Sequence, residues 1–150
     1  MIAFARKHPA LSVLVLAGTV GLIASCATMA PMVGGQRLTL AGANEVPPVT
    51  TDATGTAVVD IKPDRSVTAK VTVTGMTATA SHIHEGAAGT NGPVIVPFTK
   101  TADNTFEAAP GAMVTEAQYQ SYKQGKLYVN VHSAKNPGGE VRAQLKGDGM

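Results

Sequence analysis

The 150-residue chain has one cysteine and no tryptophan, and aromatic residues make up only 4% of it. A single Cys excludes an intramolecular disulfide and any multi-cysteine zinc site. Charge is scarce as well: 15% of residues are charged, with a formal net charge of +2, which is no basic footprint for nucleic acid. The apolar run from Ala10 to Ala24 holds only fifteen residues. As a helix it rises about 22 Å, short of the roughly 30 Å of a bilayer's hydrocarbon core. What is present is Val, Ile and Thr, punctuated by 16 Gly and 9 Pro, the composition of a β-rich folded domain. The length suits one domain with a real core.

Arg6, Lys7 and His8 precede the apolar run, and a basic start with a short hydrophobic stretch reads as a secretory signal over residues 1–25. The run closes on Ile23-Ala24-Ser25-Cys26, which resembles a bacterial lipobox and makes Cys26 the expected lipidation site. The alternative is a free Cys behind an ordinary cleavage site. More than one acyl chain on Cys26 gives stable membrane anchoring. Ala27 rather than Asp follows the Cys, which in proteobacterial lipoproteins implies an outer-membrane location facing the periplasm or the cell surface. Subtracting Arg6 and Lys7 leaves 10 Lys+Arg against 10 Asp+Glu, so the remaining chain is formally neutral. Residues 26–35 read as a flexible tether and 36–150 as the domain.

Strand signals begin at Gln36. Residues 37–40, 55–61 and 67–74 alternate with period 2, and Val67, Ala69, Val71 and Val73 form the clearest half-buried face. Lys62-Pro-Asp-Arg-Ser66 supplies turn chemistry between the last two. Further strands are expected at 81–85, 94–98, 105–108, 126–132 and 141–145, with Pro97 marking a strand end or edge. One helix is expected near 115–124, with Thr115 and Gln118 spaced as a capping box and Gly125 ending it. Seven or eight short strands predict an all-β antiparallel Greek-key or immunoglobulin-like sandwich, or a barrel.

Three histidines fall on these strands: His82, His84 and His132. His82 and His84 share a face about 6.6–7 Å apart, with Ile83 on the other. Parity puts Leu127, Val129 and Val131 inward and Tyr128, Asn130 and His132 outward. Three neutral imidazoles would suit copper or zinc with an open fourth position, and copper is preferred on intrinsic affinity. Glu85 and Glu140 are candidates to orient a ring from behind. Spacing leaves open whether the rings meet or each serves a loop by structural hydrogen bonding. Glu140 and Arg142 share a face of the last strand and by default form a surface ion pair. The glycine-rich stretch 86–92 lacks the Lys-Ser/Thr of a phosphate loop, and no nucleophile elbow surrounds Ser81.

Four blocks together resemble the CHRD domain family. They are Leu40-Ala-Gly-Ala-Asn-Glu-Val-Pro-Pro-Val49, His82-Ile-His84 with Gly86, Gly89-Thr-Asn-Gly-Pro-Val94, and Leu127-Tyr-Val-Asn-Val-His132 with Asn136-Pro-Gly-Gly-Glu-Val-Arg142-Ala-Gln-Leu145. The resemblance covers about residues 38–146 and implies a β-rich extracytoplasmic module with no established reaction. It also places the three histidines inside the family's own pattern. A looser similarity connects the His-x-His pair, His132 and Arg142 to the copper site of copper-zinc superoxide dismutases. It implies copper ligation by the histidines and an anion-steering role for Arg142, although the bridging zinc cluster and the disulfide of those enzymes are missing here. Two functions lead: a lipid-anchored protein binding a transition metal, copper favoured, through His82, His84 and His132, or a non-catalytic envelope module docking a protein or matrix partner without metal; an enzyme of unnamed substrate, superoxide dismutase-like activity included, stands third.

Overall fold

The computed structural model describes residues 34–147. The expected signal segment, Cys26 and the tether up to residue 33 lie outside the described residues. Contacts divide the chain into residues 1–30 and 31–150, and the fold described belongs to the second unit.

Period-2 patterning builds eight strands: β1 (Gln36–Ala41), β2 (Thr54–Ile61), β3 (Val67–Thr74), β4 (Ala78–Glu85), β5 (Val94–Ala102), β6 (Thr105–Ala108), β7 (Leu127–Ser133) and β8 (Val141–Gln144). They close into an antiparallel barrel in the order β1-β2-β3-β6-β5-β4-β7-β8. Strands β4, β5 and β6 form a meander that returns β6 beside β3, the Greek-key connection. Ala41 pairs with Arg142 to seal β1 against β8. Of the two expected all-β arrangements, the barrel is the one formed, and closure removes the free sheet edges.

On β3, Val67, Ala69, Val71 and Val73 are buried while Thr68, Lys70, Thr72 and Thr74 are exposed. Leu40, Val59, Ile83, Phe106, Val129, Val131 and Leu145 join them in one core. Helix α1 (Glu116–Lys123) is capped as its sequence predicts, with Gln118 N–H donating to Thr115 Oγ1 and Thr115 N–H donating to Gln118 Oε1. Gly125, at φ 68°, ends it in a conformation that favours glycine. Among the described residues, no helix is long and apolar enough to cross a membrane.

Two expectations change. Strand β4 starts three residues earlier than its short apolar signal suggested, because Ala78 and Ala80 pair with Ser133 and His132. Pro97 lies inside β5, which is flanked by β4 and β6 and is no edge strand. Pairing with β6 begins only at Phe98, so the proline stands where that ladder ends.

Candidate metal centre

The register of β4 on β7 assembles the histidines. His82 pairs opposite Asn130, Ile83 opposite Val129, His84 opposite Tyr128 and Ala80 opposite His132. Alternation sends Ile83 and Val129, each with no exposed surface, into the barrel, and sends the three imidazoles to its outer side. Ala80, across from His132, carries only a methyl group, and the His82 ring leans diagonally to place Nδ1 3.0 Å from His132 Nε2. Ring centroids lie 4.9 Å (82 to 132), 5.5 Å (82 to 84) and 5.7 Å (84 to 132) apart. One nitrogen from each ring falls within 4.8 Å of the others. Tetrahedral coordination at His–metal bonds of about 2.0–2.1 Å needs nitrogens roughly 3.3 Å apart, so small ring rotations would close the cluster on one ion.

The tautomers suit that role. His84 Nδ1 lies 2.9 Å from Gly92 O and His132 Nδ1 lies 3.0 Å from Pro137 O. A carbonyl only accepts, so both Nδ1 atoms carry the proton, leaving the His84 Nε2 lone pair unmatched and that of His132 Nε2 accepting from His82 Nδ1–H. His84 Nε2 is buried and has no hydrogen-bond partner. Burial pushes His82 down to about 4, aided by the nearby His132 and His84. Burial also lowers His84 and His132 below the ordinary histidine value, against the opposing pull of their carbonyl partners. All three rings are therefore neutral at pH 7, the form that binds a metal.

Parity placed the rings outward, yet His84 and His132 are only 8% and 9% exposed. Loops fold over this face of the barrel. Gly92 N–H donates to Tyr128 Oη at 3.0 Å, and the Tyr128 ring stacks on His84 at 4.9 Å between centroids and 10° between planes. The Arg142 guanidinium lies 3.3 Å from the centre of the Tyr128 ring. It donates to Thr90 O at 2.8 Å, to Asn91 Oδ1 at 3.2 Å and to Ala87 O at 3.4 Å. The glycine-rich loop is thus a wall of the centre, with Arg142 as its strut.

The expected supporting roles are reassigned accordingly. Glu85 alternates toward the opposite face from His84 and accepts from Ser121 Oγ at 2.5 Å, so it orients no ring. Glu140 accepts from Thr51 Oγ1 at 2.7 Å and from Ser133 Oγ, so it neither orients a ring nor pairs with Arg142. The carbonyls of Gly92 and Pro137 do the orienting instead. Arg142 is 1% exposed, and a guanidinium so buried and so fully bonded is not presented to an incoming anion.

Two residues of this face were not singled out from the sequence: Glu45 and Asn130, 5% and 1% exposed. Glu45 follows the short helical turn Gly42–Asn44. The turn is pinned by Asn44 Nδ2 donating to Arg142 O at 3.0 Å, and the segment beyond it by Asn91 Nδ2 donating to Val46 O at 2.7 Å. Asn130 Nδ2 donates to Glu45 Oε2 at 3.4 Å, while Glu45 Oε1 and Asn130 Oδ1 have no partner. Burial raises the Glu45 carboxyl to about 7, against the lowering effects of Arg142 and Asn130. An acidic residue within an otherwise uncharged stretch, 38–51, and an Asn on the His132 side of β7 were the available signals.

An eight-stranded closed barrel carrying three convergent imidazoles on its outer wall defines a β-barrel module with a candidate metal centre. The family model for the CHRD domain matches residues 37–145, and the chain belongs to that family. No curated protein and no solved structure matches the chain significantly.

Proposed function

We propose that this protein is a lipid-anchored, extracytoplasmic CHRD-domain protein that binds one transition-metal ion through His82, His84 and His132, with copper favoured over zinc. The observation that carries the reading is the convergence of three neutral imidazole nitrogens within 4.8 Å. The orphaned lone pair of His84 Nε2 supports it, since a buried acceptor without a donor is what a bound cation would satisfy. Imidazole suits both metals, and copper stands above zinc in intrinsic affinity. The purified protein is expected to take up about one copper per chain in an equilibrium titration and to keep it against zinc. His84→Ala is expected to lose that uptake. Stoichiometric binding that survives the substitution would overturn the assignment.

The location rests on the lipobox-like Ile23-Ala24-Ser25-Cys26. Wild-type protein is expected in the detergent-rich phase after cloud-point partitioning, with outer-membrane density on a sucrose gradient. Cys26→Ala is expected to abolish the acylation and leave the aqueous phase enriched. Ring separations of 4.9–5.7 Å give the metal-free docking module no specific support.

A further inference from the structure

Three buried side-chain atoms on the covered face lack a hydrogen-bond partner: His84 Nε2, Glu45 Oε1 and Asn130 Oδ1. With Glu45 ionised, its state above about pH 7, all three are acceptors. The remaining such atom among the described residues, Asn136 Nδ2, is a donor and belongs to the turn after β7. Leaving a buried acceptor unmatched is unfavourable, so three on one face require a common explanation. A metal ion satisfies the nitrogen alone. The two oxygens require O–H or N–H donors.

The register places Asn130 beside the histidines, and Glu45 joins the same face through its contact with Asn130. Asn130 is the direct cross-strand partner of His82 and lies two residues from His132 on the same face. Glu45 touches Asn130 from the side of Arg142, Asn130's partner on β8. Both side chains are fixed in place. The Glu45 turn is held to the β8 backbone through Asn44. Gly139 packs so closely on Asn130 that a Cβ there would lie 2.4 Å from Nδ2 and 2.6 Å from Oδ1. Three imidazoles leave a fourth position in a tetrahedral site, and the usual occupant of an open position is water. A metal-bound water offers two O–H donors, and the two unmatched oxygens belong to Asn130, which faces His82 across the strands, and to Glu45, which touches Asn130.

We infer that the fourth ligand of the ion is an exchangeable water held by Glu45 Oε1 and Asn130 Oδ1. The centre is then an open one that takes small protic ligands and excludes anions, and Glu45 is a positioning residue for the fourth position. This rests on the metal reading above and adds a claim that can fail separately. In copper-loaded wild type exchanged into D2O, pulsed electron paramagnetic resonance is expected to show strongly coupled deuterons from an equatorial water. At pH 8, azide titration followed by its charge-transfer band to Cu(II) is expected to show at least tenfold tighter azide binding in Glu45→Gln than in wild type. Copper stoichiometry is expected to be unchanged in the variant. Wild type that takes up no copper overturns the metal reading itself. Copper bound without coupled deuterons overturns only the water, and this measurement stands even if the variant does not fold. Equal azide affinities overturn the role of Glu45. Loss of copper in Glu45→Gln would make the carboxylate a ligand and also overturn the inference.

Discussion

Replacing Glu45 by Gln in the metal-free protein is expected to stabilise it in a pH-dependent way. The carboxyl is 5% exposed, and burial raises it to about 7 from an ordinary 4.5. Below pH 4.5 it is protonated in both folded and unfolded chains and favours neither. Between pH 4.5 and about 7 the unfolded chain releases this proton while the folded chain retains it, so the unfolded state gains. Stability therefore falls as pH rises through this window, by about 1.4 kcal/mol per pH unit and roughly 3 kcal/mol in total. Against a typical total of about 5–15 kcal/mol this is large. Gln keeps the shape, can still meet Asn130, and does not ionise. Urea unfolding in EDTA, followed by far-ultraviolet circular dichroism from pH 4.5 to 8.5, measures the difference between the two proteins. That difference cancels titrations they share, including those of the histidines. It is expected to be near zero at pH 4.5 and to reach roughly 3 kcal/mol by pH 8. A difference that stays flat across the range would refute the assignment of a proton to buried Glu45.

The histidines push in the opposite direction: His82 lies near 4 when folded against an ordinary 6.5, so their contribution is present above pH 6.5 and is lost as pH falls towards 4. Acid unfolding of the metal-free protein is expected to begin in that window, and a His82→Gln variant is expected to show a shallower decline in the same urea assay. Arg142→Met strips donors from Thr90 O and Asn91 Oδ1 and removes the cation over Tyr128; a loss of about 2–4 kcal/mol is expected from the unpaired buried groups, with the 86–92 loop becoming the first site of proteolysis. Ile83→Ala opens the core directly beneath His82 and His84, and a loss of about 2–5 kcal/mol is expected, measured by calorimetry with and without copper.

How much of this was legible in the chain depends on the range of the interaction. Alternation along 67–73 and 127–131 encodes which side chains face the core, and that is local, so the strands and the outward parity of His82, His84 and His132 could be read directly. The capping box at Thr115 is likewise confined to four residues. Pro97 misled because its effect depends on which neighbour the missing N–H would have met, and the β4-β5-β6 order is not written in any local pattern. Glu85 misled because it neighbours His84 on a strand, where neighbours point apart, and Glu140 because it stands just before β8, where the alternation that would align it with Arg142 has not begun.

The covering of the site was the least legible part, and it decides the chemistry. Parity alone describes an exposed histidine patch, a setting in which metal binding is weak and water is everywhere. The loop after β1 brings Glu45 across 85 positions to Asn130, and Arg142 reaches back across 52 positions to Thr90. Those two long-range contacts turn the patch into a partly enclosed centre. Enclosure lowers the histidines and raises Glu45 by one cause, the removal of water. It therefore keeps the imidazoles neutral, the form a metal binds, and makes the charge of Glu45 depend on pH near neutrality. The same loops explain why Arg142 is best understood as a strut: its charge is spent on the carbonyls that hold the wall in place. If the wall were loosened, as in Arg142→Met, the histidines would recover ordinary basicity and protons would compete with copper at higher pH. A shift of the copper-release midpoint towards neutral pH in that variant, with stoichiometry intact at pH 8, is the signature of a centre made by its covering rather than by its ligands alone.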